Sequence, residues 1–433
     1  MIENNKSVIM RKNENLRSEN ARVKSQLHKV QTATDKLKSE HDTLAEQNKE
    51  NLIQLQNLQK THDDTQLALK RTEIRYQDLE AKAQQLKTDL EEQENLRRIF
   101  HDKIQDLQGN IRVFCRIRPP MKDEGNKQLC SILFPDENTL EIRKARQSIF
   151  AVSGKPTDLK QEFVFDKVFP PETGQSEVFE ELSQLVQSVV DGFHVCVFAY
   201  GQTGSGKTYT MQGSQQDHGM IPRTIDLIFE KINKFKHCGW NYEVTASFLE
   251  IYNESVKDLL CSNSSCSYEL KFNEGRGVTV TNLKIMPINS AIELKILMEQ
   301  AHKNRAVAAT DFNEHSSRSH AITKIHLRGH NNVTKVVYNG SINLIDLAGS
   351  ESARTSSAER LNETKSINKS LSALGNVMLA LHNKDSHVPY RNSKLTFLLQ
   401  SCLGGNSKTL MFVNISPFEE CYGESVNSLR FAA

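Results

Sequence analysis

Neither glycine nor proline occurs in the first 108 residues of this 433-residue chain. Nothing in that stretch therefore breaks a helix. The eight cysteines include no C-x-x-C pair, and Cys196 lies inside an apolar, strand-like run. That pattern excludes an ordinary cysteine zinc site and reads as a reduced protein of the cell interior. No apolar run approaches the ~20 residues that a membrane-spanning helix needs. The N-terminus is polar and lacks the apolar core of a secretory signal. Net charge is almost absent as well, +2 on a chain with 25% charged residues. Bulk electrostatic binding is thereby excluded as the main activity, while a local basic face stays open. The length allows two or three domains.

What fills the glycine- and proline-free stretch is a heptad repeat. One register runs from Leu16 to Leu107, with Leu16, Val23, Val30, Leu37, Leu44, Leu58, Leu79, Leu86 and Phe100 among its d positions. Its a positions include Leu27, Leu55, Leu69, Tyr76, Leu90 and Ile104, with polar Asn20, His41, Asn48, His62 and Arg97 between them. An apolar repeat of 3.5 residues held this long predicts a left-handed coiled coil. At ~1.5 Å per residue, about 90 residues make a rod of roughly 135 Å. A lone helix would leave these leucines in water, so a dimer is expected. Polar residues suit dimers at a cost in stability, and His41 to Asn51 is the weakest part of the seam.

Gly109-Asn110 ends the helical pattern, so the expected division is a stalk over 1–108 and a globular domain over 109–433. Ile111 to Arg118 alternates apolar with basic residues and reads as a strand running into Pro119-Pro120. Further strands are expected at Phe163 to Phe169, Val244 to Ile251, Ala321 to Leu327, Ile342 to Leu347 and Thr409 to Ile415. Helices are expected at Gln175 to Val190, Thr224 to Phe235, Ala291 to Ala301, Glu363 to Leu381 and Ser393 to Ser401. Cys261 to Ser267 is the most loop-like insertion.

One stretch organises this domain. Gly201-Gln202-Thr203-Gly204-Ser205-Gly206-Lys207-Thr208 fits the phosphate-binding pattern G-x-x-x-x-G-K-[ST] in full. The apolar run His194 to Tyr200 precedes it and reads as a strand buried on both faces. Glycines let the backbone approach phosphate oxygens, and successive N–H groups form an anion nest at a helix start. Lys207 is the candidate for the β- and γ-phosphates, and Thr208 for Mg²⁺. Strands and helices mixed around such a loop indicate an α/β layered fold.

Two polar constellations lie downstream. Asn343 to Gly349 is an apolar strand ending in D-x-x-G, where Asp346 can hold Mg²⁺ directly or through water and the Gly349 N–H can sense a γ-phosphate. Asn313-Glu314-His315-Ser316-Ser317-Arg318-Ser319-His320 is a dense polar block ahead of a strand. Its hydroxyls can ligand the metal and Arg318 can pair with an acid, but spacing alone does not identify that acid. The block lacks a full zinc set. No N-K-x-D guanine signature occurs, and the gap from Lys207 to Asp346 is too long for a small GTPase.

AYGQTGSGKTYTM, NEHSSRSH, LIDLAGSE and HVPYRNSKLT stand here in the order found in kinesin motor domains. The resemblance covers Gly109 to Ala433, and the coiled coil running directly into IRVFCRIRPP resembles the kinesin-14 group, whose motor is C-terminal. The resemblance implies a P-loop NTPase motor fold with a mixed, mostly parallel, eight-stranded sheet between helix layers. It implies ATP and Mg²⁺ as ligands, hydrolysis stimulated by microtubules, minus-end movement, and a place on the spindle or cytoplasmic microtubules, with no nucleic-acid or membrane partner. Arg116 and Pro119 would flank the adenine, with Tyr209 near it. Ser317 would contact Mg²⁺ and the γ-phosphate in the first switch. Asp346, Gly349 and Glu351 would form the second switch, and an Arg318–Glu351 salt bridge would close the site. Lys365, Lys369, Arg391 and Lys394 would face the microtubule, and Gly109-Asn110 would be the pivot of the neck. Two departures stand out. The segment Ser352 to Asn362 looks shorter than in most plus-end kinesins. The long basic tail expected before the coiled coil is absent, and the sequence stops inside what reads as the last helix, so a fragment is expected.

Overall fold

The computed structural model describes residues 2–144, 160–261, 266–273, 277–307, 317–332, 334–352 and 361–433. Most of the polar block before Ser317 and most of the short segment after Ser352 lie outside the described residues, as does the centre of the Cys261–Ser267 insertion. The chain divides into two bodies, Met1–Asn95 and Leu96–Ala433.

The first body is helix alone. Helix α1 runs unbroken over Ile2–Leu107, as the lack of glycine and proline predicts. Its heptad leucines are exposed, Leu58 at 68% and Leu86 at 68%. The second body begins at Leu96, before the helix ends, so Leu96–Leu107 packs as part of the globular body.

The globular body has fourteen strands among the described residues: β1 (Ile111–Ile117), β2 (Ser131–Leu133), β3 (Thr139–Arg143), β4 (Lys160–Val164), β5 (Lys167–Phe169), β6 (His194–Tyr200), β7 (Trp240–Tyr252), β8 (Ser255–Asp258), β9 (Leu270–Asn273), β10 (Gly277–Val280), β11 (Met286–Ile288), β12 (His320–Asn331), β13 (Val337–Asp346) and β14 (Lys408–Ile415). The helices after α1 are α2 (Gln175–Val190), α3 (Lys207–Met211), α4 (Met220–Lys236), α5 (Ala291–Val307), α6 (Leu361–His382), α7 (Lys394–Leu403) and α8 (Tyr422–Ala432). Helix α4 starts earlier than its apolar period suggests, because Pro222 sits in the first turn, where its missing N–H costs nothing.

The main sheet has the order β11-β7-β12-β13-β6-β14-β1-β5, with β8 hanging from β7 as a ninth strand. Pairs β13–β6, β6–β14, β14–β1 and β1–β5 are parallel; β11–β7, β7–β12 and β12–β13 are antiparallel. The expected eight strands are thus the main path. Phe163 to Phe169 is a correction. It splits between two sheets, since Phe165 N–H turns to the Asn138 carbonyl and Asp166 N–H to the Val113 carbonyl.

Strand β6 shows how the core is built. Cys196, Phe198 and Tyr200 face one cluster, with Leu371 and Leu374 of α6, Leu399 of α7 and Leu429 of α8. Val195, Val197 and Ala199 face the other, with Leu182 of α2, Ile225 of α4 and Leu294 of α5. The period of two along a strand sends alternate residues to opposite faces. Each Val, Leu, Ile or Phe among them, fully buried, contributes about 1.5–3 kcal/mol. Two helix layers therefore clamp β6 and fix the loop that follows it.

Candidate functional site: a nucleotide pocket at the end of the sheet

The loop Gly201–Gly206 leaves β6 between β13 and β14, the neighbours on either side. Crevices of this kind, outside the carboxyl ends of parallel strands, are where α/β folds bind ligands. Gly201, Gly204 and Gly206 all have positive φ, and a Cβ on Gly201 would stand 2.2 Å from the Asn414 carbonyl oxygen. Only glycine lets the loop lie against β14 in this way. Lys207 is buried, and its ammonium donates to the carbonyls of Gly201 and Gln202 at 2.9 Å each. Burial lowers its pKa, with Asp346 and Glu351 pulling the other way. Gln202, Thr203 and Gly204 form the outward turn of the loop, and the buried Ser205 hydroxyl inside it makes no hydrogen bond among the described residues.

Thr208 donates to Asp346 Oδ2 at 2.8 Å, although the two are far apart in sequence. The register explains it: Asp346 pairs with Ala199 on β6, so both strands end at the same level. Asp346 Oδ1 is buried and without a hydrogen bond among the described residues. One hydroxyl and one carboxylate oxygen side by side suit Mg²⁺, which keeps waters and takes phosphate oxygens for its remaining ligands. Among the described residues no cluster of three His, Cys, Asp or Glu could hold a metal. The donor set fits hard-oxygen chemistry with nucleotide phosphates and does not fit a protein-only metal cage.

Behind Asp346 stands Arg305, which the sequence reading missed. From α5 it reaches Asp346 Oδ2 at 3.2 Å, the Ser319 carbonyl at 2.9 Å and Glu250 of β7 at 3.7 Å. Arg305, Asp346 and Glu250 are all nearly fully buried. A buried charge survives only when paired and hydrogen-bonded, so this trio fixes the orientation of the Asp346 carboxylate. No spacing rule links a lone Arg at the end of α5 to a carboxylate 41 residues later.

The two segments expected to act as switches meet beside the loop. Gly349 N–H donates to the Ser317 carbonyl at 2.7 Å, and Ser350 N–H donates to the Gly201 carbonyl at 3.1 Å. The Gly349 N–H expected to sense phosphate is therefore spent on Ser317 in this conformation. Glu351 accepts from Thr203 N–H at 2.9 Å and from the Thr203 hydroxyl at 2.7 Å. The expected Arg318–Glu351 bridge is a correction: Arg318 Nη1 pairs with Glu363 at 3.1 Å instead. Glu351 is turned to Thr203 of the loop, and Glu363 on the first turn of α6 is the carboxylate that faces Arg318.

His320 ties the same region together. Its Nδ1 accepts from the Ala348 N–H at 3.1 Å and its Nε2 meets the Ser370 hydroxyl at 2.8 Å. Ser370 in turn donates to the Ile367 carbonyl. Burial, Arg305 and Lys207 push the imidazole down to about 3, so it is neutral and carries its proton on Nε2. The segment after β13 and α6 are thereby joined through one ring.

On the far side of the loop, Arg116 is buried, with Nη1 donating to Gln175 at 2.7 Å and Thr210 at 3.0 Å. Its guanidinium lies 5.6 Å from the ring centre of Tyr209, which is 44% exposed, and Pro119 is exposed beside this wall. Arg118, passed over in the sequence, donates to the Gly204 carbonyl at 2.7 Å and grips Glu124 through both nitrogens at 2.7 Å. That grip pulls the Glu124 carboxyl down to about 2. The alternation of basic residues in β1 was the available signal.

Lys365 and Lys369 are exposed on α6, one turn apart. Arg391 is exposed and lies 5.8 Å from the Phe397 ring, while Lys394 is half-buried, its N–H bonded to Glu254. Gly109 has φ +96°, and Asn110 accepts from Thr409 N–H at 2.7 Å and from Lys408 at 3.2 Å. Lys408, buried to 1% exposure, also pairs with Asp102 at 3.2 Å and with Asp106. Arg97, an a position in the heptad reading, turns instead to Asp191 at 2.6 Å. Arg112 returns from β1 to Gln105 at 2.8 Å.

Residues 116–433 match the kinesin motor domain. The chain belongs to the kinesin motor family. It is 47% identical over 425 residues to the Drosophila melanogaster protein claret segregational, covering 97% of this chain and 57% of that one. It is 49% identical over 349 residues to carboxy-terminal kinesin 2 of Xenopus laevis, covering 78% and 54%. These relatives place it with the C-terminal kinesins of the kinesin-14 group. The chain spans a little over half the length of these relatives. Among solved structures, it resembles the C-terminal motor and motor homology domain of Kar3Vik1 fused to a synthetic heterodimeric coiled coil, at TM-score 0.77 and 42% identity over 87% of this chain and 98% of that one. The motor domain of Kar3 from Saccharomyces cerevisiae gives TM-score 0.65 and 47% identity over 75% and 98%.

Proposed function

We propose that this kinesin is a microtubule-stimulated, ATP-hydrolysing motor that moves toward minus ends as a coiled-coil homodimer on spindle or cytoplasmic microtubules. The observation that carries the reading is the Thr208–Asp346 pair with its unused carboxylate oxygen, set beside a glycine loop at the ends of β6 and β13. ATP with Mg²⁺ supplies the phosphoryl group and the charge neutralisation; the protein supplies position. In this reading Gly201 to Thr208 hold the phosphates, and Arg116, Pro119 and Tyr209 line the base. Thr208, Ser317 and Asp346 serve the metal. Ser317, Arg318, Gly349 and Glu351 order the attacking water. Lys365, Lys369, Arg391 and Lys394 meet the acidic track. The functional division is stalk 1–108 and motor 109–433, with Gly109-Asn110 as the pivot. The exposed heptad leucines support pairing of two chains.

The test is ATP turnover across a microtubule titration, followed by gliding of polarity-marked microtubules over surface-bound protein. A many-fold rise in turnover and minus-end-leading tracks are expected. Flat turnover defeats the motor reading; plus-end movement defeats only the direction.

A further inference from the structure

The Arg318 guanidinium reaches Glu363 at 3.1 Å, with the two side chains only 23% and 17% exposed. Glu363 is not an incidental surface partner. The Tyr252 phenol at the end of β7 hydrogen-bonds to it as well, so it is held from two sides. It lies on the first turn of α6, two residues before the exposed Lys365. Glu351, meanwhile, accepts one hydrogen bond from Thr203 at each oxygen, which leaves it acceptor capacity for a further donor. A polar cavity lined by Arg318, Glu254, His320 and Ser366 lies next to the guanidinium, and Glu254 Oε1 in its wall is buried with no hydrogen bond among the described residues. This cavity measures about 10 Å³, no more than one water needs, so Arg318 changes partner only when the elements around it move.

We infer that Glu363 is a restraining residue that holds Arg318 away from the second switch until the start of α6 is displaced. The inference rests on the roles proposed above for Arg318 and Glu351. Arg318 then has two alternative acids: Glu363 on the helix that carries the basic face, and Glu351 in the nucleotide site. Whatever moves the first turn of α6 weakens the first pair and releases Arg318 to the second. An event at Lys365 and Lys369 is thereby converted into a change at the reacting end of the pocket without any new contact to nucleotide. A guanidinium shared between two carboxylates is a two-state element of the kind that switching requires. Glu363 is a positioning residue here, since it acts through Arg318.

The experiment is single-turnover hydrolysis, with ATP below the protein concentration and no microtubules, because steady-state turnover can be limited by product release. Glu363→Gln keeps the shape and a hydrogen-bond acceptor for Tyr252 while removing the charge. The hydrolysis rate constant of the free motor is expected to rise about fivefold, as for removal of a partly buried competing ion pair. With saturating microtubules the variant and the wild type should agree within about twofold, because the restraint is already released. Glu363→Ala, at a position where alanine favours the helix, should give the same direction. The double variant Glu363→Gln/Glu351→Gln should hydrolyse no faster than Glu351→Gln alone, since the gain requires the second acid. An unchanged microtubule-free rate in both Glu363 variants overturns the inference. So does a gain that survives in the double variant, which would mean general loosening. If the wild type itself shows no microtubule stimulation, the motor reading fails instead, and the two failures are told apart in one data set.

Discussion

The end of the stalk helix should come off the globular body when Arg98 is truncated. Arg98 is 6% exposed, and its guanidinium sits 4.3 Å from the Trp240 ring and 4.4 Å from the Tyr338 ring. Its Nε is 3.6 Å from Asp191, which is itself fully buried. A desolvated cation over an aromatic face contributes up to about 2 kcal/mol, so two faces give roughly 2–4 kcal/mol. Asp191 keeps Arg97 at 2.6 Å and Gln187 at 3.0 Å, so its pairing is not lost with Arg98. At about 1.4 kcal/mol per tenfold, Arg98→Ala should shift docking of Leu96–Leu107 by a factor of roughly 30 to 1,000. Trp240 is the only tryptophan in the chain, so its emission reports the cage directly. The expected result is a changed Trp240 emission together with faster amide exchange across His101 to Leu107, and an unchanged exchange rate in β6. Wild-type protection at His101 to Leu107 in the variant would refute the reasoning, because it would mean that Lys408 with Asp102 and Asp106 holds the helix by itself.

Three further outcomes follow from the site. Asp346→Asn removes the carboxylate charge beside Thr208 and leaves Arg305 with Glu250 as its remaining acid, so ATP turnover should fall by about two orders of magnitude or more, measured beside a melting curve that separates catalysis from folding. Gly349→Ala places a Cβ 2.2 Å from Glu351 and 2.5 Å from the Thr203 hydroxyl; the Ser317–Gly349 bond should break and turnover collapse, while nucleotide affinity, read by a fluorescent analogue, changes far less. His320 has its pKa depressed to about 3 by burial, against 6.5 for the free group. Its contribution to stability is fully present above pH 6.5 and is lost as pH falls toward 3, at up to about 1.4 kcal/mol per pH unit. His320→Gln should therefore lose less stability than the wild type between pH 6.5 and 5 in denaturant titrations. An identical pH slope would mean that the ring is already protonated in the fold.

The parts of the site legible in the sequence are those whose chemistry is local. Gly201 to Thr208 must be contiguous because one loop wraps one phosphate chain, and Asp346 must follow an apolar strand because it sits at that strand's end. Helix α2 was legible to its bounds because its apolar stripe is also its buried face. Phe163 to Phe169 was misread because each half satisfies a strand pattern while Phe165 and Asp166 turn between sheets. Arg97 was misread because a heptad position describes spacing along a helix, and not which surface lies opposite.

The sequence by itself determined the long helix, the phosphate loop, the order of the switch motifs and the family, because backbone preference and contiguous ligand chemistry are written residue by residue. Only the tertiary structure decided which charges meet. Arg305 takes Asp346, Arg318 takes Glu363 in place of Glu351, and Lys408 takes Asp102 and Asp106 from the other end of the chain. A charge chooses its partner by distance and burial in space, and strand register and helix packing set both of those.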